Sequence, residues 1–233
     1  MDGLRRFDAA PSMTDRVAAS LREAITSLQL TPGSPIVEAT VARQLGVSTT
    51  PVREALHRLA KDGLVVLNRH RGASVVTMST HDIDEIYQMR EALEPLAVRL
   101  SVPHFTEAEI AAMGALLNDA GEAIIRHDWD ALSHCNREYH GMFIARCGND
   151  RLRSVLENLQ DQNRIIALLT WHNRGYQARE HEEHLAILEE VRRRDAEAAA
   201  SSALQHLTRF GQSIVEAWSG FSARPTVRDE VLR

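Results

Sequence analysis

The chain has 233 residues, 44% of them apolar and 25% charged, with a net charge of −5. That mixture excludes a disordered chain, and no apolar run reaches the roughly 18 residues that a membrane-spanning helix needs. The charge is uneven: residues 1–78 hold ten Lys and Arg against seven Asp and Glu, a net of +3, while residues 79–233 carry the other −8. A basic front and an acidic back point to a nucleic-acid contact in the N-terminal part. Cys135 and Cys147, the only cysteines, form neither a disulfide framework nor a zinc-finger pattern. The N-terminus lacks the apolar core of a signal peptide, so a reduced cytoplasm is expected.

In chain order, residues 1–12 read as a loose start. Met13–Leu28 is an amphipathic helix, capped by Thr14, with Val17, Leu21, Ile25 and Leu28 at spacings of three and four. Thr31-Pro32-Gly33 turns the chain. A short helix over Glu38–Leu45 stops at Gly46, and Ser48 or Thr49 caps the next, with Pro51 tolerated in its first turn. That helix carries Val52, Ala55, Leu56 and Leu59 inward and ends at Asp62-Gly63. Two β-like runs follow, Leu64–Leu67 and Ala73–Thr77, joined by the basic tip Asn68–Gly72. Residues 13–78 therefore read as a winged helix-turn-helix. From Ser79 the strand signals stop, and helical periodicity recurs near 80–101, 106–127, 129–147, 149–170, 177–194 and 196–218. Residues 79–219 form an all-helical bundle of six or seven helices, and 220–233 a loosely attached tail. The fold class is mainly α.

A helix-turn-helix presents the N-terminal side chains of its second helix to base edges in the major groove. Here those side chains are Ser48, Thr49, Thr50 and Arg53. Arg53 suits a bidentate guanine contact, and the hydroxyls suit phosphates or bases. Arg69, His70 and Arg71 at the wing tip, with Gly72 allowing close approach, suit phosphates or the minor groove. The bland alternative pairs Arg53 with Glu54 or Glu38 and leaves the wing a solvated turn.

The helical part holds a second pattern. Asn136 and His140 are four apart and share a helix face. His184 and His206 lie symmetrically about the break at Arg194-Asp195. In an antiparallel hairpin both stand about 16 Å from the turn, hence side by side. With His140 from a neighbouring helix, three imidazoles can meet and hold zinc, nickel, iron or manganese. Each histidine alone equally suits a hydrogen-bonded, half-buried role. His181-Glu182-Glu183-His184 is no protease motif, because its histidines are three apart where that helix needs four.

Two resemblances sharpen this. Leu30–Gly33, Glu38, Leu45–Ser48, Thr50–Leu56 and Asp62–Val65, with Arg71-Gly72 and Val75, resemble the DNA-binding domain of GntR-family repressors. The family usually has arginine where this chain has Thr49 and often a basic residue where it has Ala39, so the familiar operator is not implied. Ile86-Tyr87 with Arg90 and Leu93–Ala97 resembles the opening of the FCD effector domain of FadR-type members. Asn136–His140 with Gly148-Asn149 resembles its second signature, and Glu183-His184, Asp195 and His206-Leu207 its third. The resemblance implies Asn136, His140, His184 and His206 as ligands of a divalent metal, zinc foremost. Asparagine stands where the family commonly has aspartate. Arg90 is implied to clamp a small carboxylate effector together with the metal, and Tyr139 is a candidate for the lining of that pocket.

The whole then implies a metabolite-responsive regulator, a repressor acting as a homodimer on double-stranded operator DNA, away from membranes and not an enzyme. Other readings are a metal-dependent hydrolase or lyase, with Glu138 or Glu183 as base, and a DNA-binding protein whose metal is structural or absent.

Overall fold

The structure is a computed structural model of the chain, in which residues 11–68, 72–170 and 176–222 are described. The chain divides into two compact units, Met1–Thr77 and Met78–Arg233. The first contains α1 (Met13–Thr26), β1 (Pro35–Ile36), α2 (Glu38–Leu45), α3 (Thr49–Lys61), β2 (Val65–Asn68) and β3 (Gly72–Val75). α1 packs on α3, and the stripe Val17, Leu21, Ile25 is buried together with Val52, Ala55, Leu56 and Leu59. The cap of α1 is Ser12, not Thr14: Ser12 and Asp15 bond each other's backbone in a reciprocal capping box. Thr14 is turned to Glu54, donating to it at 2.7 Å. Leu28 lies past the end of α1, at a φ of 61°, because the chain is already turning there. Gly46, at a φ of 67°, closes α2 in the left-handed conformation that glycine adopts without strain.

The wing is a three-stranded antiparallel sheet in the order β1-β3-β2. Val65 pairs with Val75 and Asn68 with Gly72. The sequence reading found β2 and β3 and missed β1, whose two residues pair with Ser74 and Ala73.

The second unit contains α4 (Thr80–Ser101), a 3-10 turn (Val102–His104), α5 (Glu107–Arg126), α6 (Trp129–Arg146), α7 (Asp150–Thr170), α8 (Tyr176–Arg192) and α9 (Ala196–Ser222). Capping boxes start α4 and α5, through Ser79 with Asp82 and Thr106 with Glu109. Asp128 caps α6, and the Asn149 side chain accepts from the first amides of α7. Between α8 and α9, Arg194 adopts a φ of 59° and Asp195 accepts from Ala198 to start the return helix. α9 runs to Ser222, past Gly220, where the tail was expected to begin. The rest of the tail lies outside the described residues. None of the described helices is long and apolar enough to cross a membrane.

α4 runs along α9, and the close approach depends on Gly211. A Cβ there would stand 2.8 Å from Tyr87 Cδ1, on the same side of the unit as a cluster of Ile83, Tyr87, Ile166, Phe210, Ile214 and Trp218. Gly211→Ala is therefore expected to lower the unfolding free energy by about 1–3 kcal/mol through overpacking. The midpoint of urea unfolding reads that loss.

Candidate metal centre and nucleic-acid face

Three helices of the second unit bring imidazoles to one point. α6 supplies His140, α8 His184 and α9 His206; the latter two are 1% and 2% exposed. His184 Nε2 lies 3.1 Å from His140 Nε2 and 3.2 Å from His206 Nε2. The hairpin about Arg194-Asp195 does what its spacing implied, and the three ligand atoms lie within 4.8 Å of one another.

The outer ring nitrogens are held by carboxylates. Glu94 Oε2 faces His140 Nδ1 at 3.2 Å, and Glu183 Oε2 faces His206 Nδ1 at 2.9 Å. An ionised carboxylate only accepts, so these contacts place the proton on Nδ1 and turn each Nε2 inward as a lone pair. Tyr139 adds a hydrogen bond from its hydroxyl to the His184 carbonyl at 3.1 Å. At most one proton on His184 Nε2 could bridge to a neighbour, which leaves another pair of lone pairs opposed. A cation at the centre removes that repulsion. Three nitrogens each about 2.0–2.1 Å from a tetrahedral zinc ion stand roughly 3.3 Å apart, near the separations seen here. The carboxylate-backed rings are the usual outer layer of such sites. The residues present therefore fit a divalent metal.

Burial, and then the neighbouring rings, push His184 well below the usual imidazole range. Burial likewise lowers His206, against the opposing pull of Glu183. Both stay neutral, as ligands must be.

Beside the imidazoles is a partly open cavity, lined by Arg90, Asn136, Arg137, His140, Asn163, Arg164, Glu180 and His206 among others. Arg90 is 2% exposed and its Nε donates to Glu94 Oε1 at 2.5 Å. Its Nη1 is buried with no partner among the described residues. Glu94 thus joins Arg90 to His140. Burial alone would raise its pKa, but the Arg90 charge and the His140 contact hold it down at about 2. Asn136 Nδ2 donates to Glu180 Oε1 at 3.0 Å. Burial pushes Glu180 up to about 8, against the pull of Arg90.

Of the residues singled out from sequence, Asn136, His140, His184, His206 and Arg90 come together here. Tyr139 does not line the cavity. It is fully buried, with its hydroxyl on His184 and its ring against His140 and His184, because its side of α6 faces the core. Both its hydroxyl and its ring are thus engaged by the histidines. The sequence reading had Glu94 only as an ion-pair partner for Arg90 and Glu183 only as a possible base, placed neither behind the rings, and missed Glu180. Two signals were available: Glu94 is one turn from Arg90, and Glu180 one turn from His184.

In the first unit, Ser48, Thr49, Thr50 and Arg53 are all exposed at the start of α3. Ser48 makes no capping bond with its side chain, which leaves the hydroxyl for another partner. Arg53 is paired with Glu38: its Nε lies 3.1 and 3.2 Å from the two carboxylate oxygens and its Nη2 2.8 Å from one. The pair stays accessible, with the Arg53 side chain 63% exposed. Gly72 is exposed at a φ of 77°. Arg69, His70 and Arg71, assigned to the wing tip, lie outside the described residues.

A winged helix-turn-helix followed by a helical bundle with three converging imidazoles defines a class of protein, and comparison with known proteins agrees. Residues 13–75 match the gntR family of bacterial regulatory proteins and residues 85–209 match the FCD domain. The HTH-type transcriptional regulator YdhC of Bacillus subtilis is 31% identical over 187 residues, covering 80% of this chain and 84% of that protein. The HTH-type transcriptional repressor RspR of Escherichia coli is 25% identical over 194 residues, covering 83% and 85%. Among solved structures, E. coli McbR/YncC superposes with a TM-score of 0.79 at 24% identity, over 90% of this chain and 99% of that one. That last likeness speaks for the fold alone. The chain belongs to the GntR family, in the branch that carries an FCD domain, and is a DNA-binding transcription regulator.

Proposed function

We propose that the protein is a metabolite-responsive regulator whose FCD unit holds one divalent metal on His140, His184 and His206, with Asn136 Oδ1 as a further ligand. The observation that carries this is the convergence of three Nε2 atoms while carboxylates hold the Nδ1 atoms of two of the rings. When bound, the metal supplies a Lewis-acid position open to an anionic oxygen. Zinc is the first expectation, with nickel, iron or manganese also compatible with the donor set.

The effector is a small carboxylate. Arg90 Nη1, buried and without a partner among the described residues, meets one of its oxygens, and the planar guanidinium suits that geometry. Glu94 keeps Arg90 charged and aimed. The glutamates that a hydrolytic reading would use, Glu138 and Glu183, do not line the cavity, and Glu183 is engaged by His206 and Arg209. These placements favour sensing over turnover.

In the first unit, Ser48, Thr49, Thr50 and Arg53 read the major groove, and Gly72 with Arg69, His70 and Arg71 serves the wing. The protein acts in the cytoplasm as a homodimer on a pseudo-palindromic operator. Its role is repression, as the name of the E. coli relative RspR states for that protein. Arg53→Ala is expected to cost about 1–3 kcal/mol, roughly 5–150-fold, in affinity for an operator selected from random DNA. A preference for particular bases should weaken with it.

Elemental analysis of the purified full-length protein tests the metal directly. Close to one divalent metal per chain is expected, and none in His184→Ala. Metal-free wild type that takes up no zinc, nickel or manganese on dialysis contradicts the reading.

A further inference from the structure

Glu180 is an unusual neighbour for a metal centre. It stands one turn before His184 on α8, is 7% exposed, and lines the cavity. One of its oxygens takes the amide nitrogen of Asn136 at 3.0 Å; the other is buried with no partner among the described residues. A buried carboxyl with a single protein partner is destabilising by itself, so packing does not account for it.

Its partner does. Asn136 is 9% exposed and sits one turn before His140. An amide offers a donor at one end and an acceptor at the other, and only the oxygen end can bind a metal. With the nitrogen end held by Glu180, only the oxygen end remains for a metal. We infer that Glu180 is a positioning residue that fixes the amide of Asn136, so that its oxygen serves as a metal ligand. The inference rests on the metal-site reading proposed above.

The residue types at the two positions are therefore coupled. Aspartate at 136 would set two carboxyl groups side by side in a buried pocket, where both cannot be ionised together. Glutamine at 180 could still accept from Asn136 through its own carbonyl. The same glutamine could instead donate to an aspartate at 136. The pair is thus asparagine with glutamate here, and aspartate with glutamine should serve as its mirror.

Cobalt(II) is a suitable probe, since both its affinity and its visible absorption bands report the ligand set. Metal-free full-length protein would be titrated with cobalt against a competing chelator, with circular dichroism confirming that each variant is folded. Glu180→Ala is expected to weaken cobalt binding about 10–100-fold, the range typical of outer-layer partners, and to change the bands. Asn136→Ala should match it, and the double variant should be no weaker than either single one. Glu180→Gln should stay close to wild type. Asn136→Asp alone should not tighten binding, whereas Asn136→Asp with Glu180→Gln should. The last comparison uses near-isosteric changes and holds even if alanine at 180 fails to fold.

Wild-type affinity and bands in Glu180→Ala would overturn the inference, as would additive losses in the double alanine variant or tighter binding by Asn136→Asp alone. A flat Glu180 series beside a His184→Ala that loses cobalt defeats this inference and leaves the metal site standing. A wild type that takes no cobalt defeats both.

Discussion

Glu94→Ala is expected to destabilise the FCD unit by about 3–5 kcal/mol, the usual consequence of leaving a buried charge without its partner. Arg90 and Glu94 are 2% and 5% exposed, and the guanidinium Nε lies 2.5 Å from the carboxylate. No other carboxylate is in hydrogen-bond contact with Arg90 among the described residues: Glu180 acts on it only at longer range. The same substitution removes the acceptor for His140 Nδ1, so the ring loses both its orientation and its tautomer. Replacing both charges, Arg90→Met with Glu94→Leu, should recover most of the stability, since a buried ion pair contributes little net over apolar side chains of similar volume. The double variant should still fail to bind the acid effector. Urea unfolding of the two proteins separates the cases. A Glu94→Ala protein as stable as wild type would show that Arg90 finds another partner.

Removing the metal is expected to have an effect of similar size. A ligand present at about 1,000 times its dissociation constant stabilises the folded state by about 4 kcal/mol. Stripping with a chelator should therefore lower the melting temperature of the wild type. In His184→Ala the chelator should change nothing, because His184 is the ring whose Nε2 faces both of the others. Replacing the exposed His57 on α3 should leave the full response intact. A chelator shift of equal size in wild type and His184→Ala would place the metal elsewhere.

Much of this arrangement was legible because helices repeat on a fixed spacing. His184 and His206 are symmetric about Arg194-Asp195, and Asn136 leads His140 by one turn, so the spacing alone sets the hairpin pair side by side and puts the other two on one helix face. The punctuation around Gly46, Pro51 and Gly63 likewise delimited α2 and α3. What spacing does not encode is the partner from another helix. Glu94 behind His140 and Glu180 beside Asn136 join elements far apart in sequence; their one-turn spacing from Arg90 and His184 marks them as near the site but does not say which side chain they meet. Tyr139 illustrates the converse. It is adjacent to His140, but adjacent positions on a helix point about 100° apart, and its side faces the core. β1 is two residues long, too short for alternation to show. Ser12 was passed over as a cap although Asp15, three residues on, completes its box.

A ligand bound beside the histidines is expected to change how the protein holds DNA. The most direct test is operator affinity of the metal-loaded protein, measured with and without each of a panel of small carboxylic acids, in wild type and in His184→Ala. An acid that shifts wild-type affinity about 5–150-fold, corresponding to a coupling of 1–3 kcal/mol, and leaves His184→Ala unmoved is the expected result. An acid that shifts both proteins equally would show that the response does not pass through the histidine site.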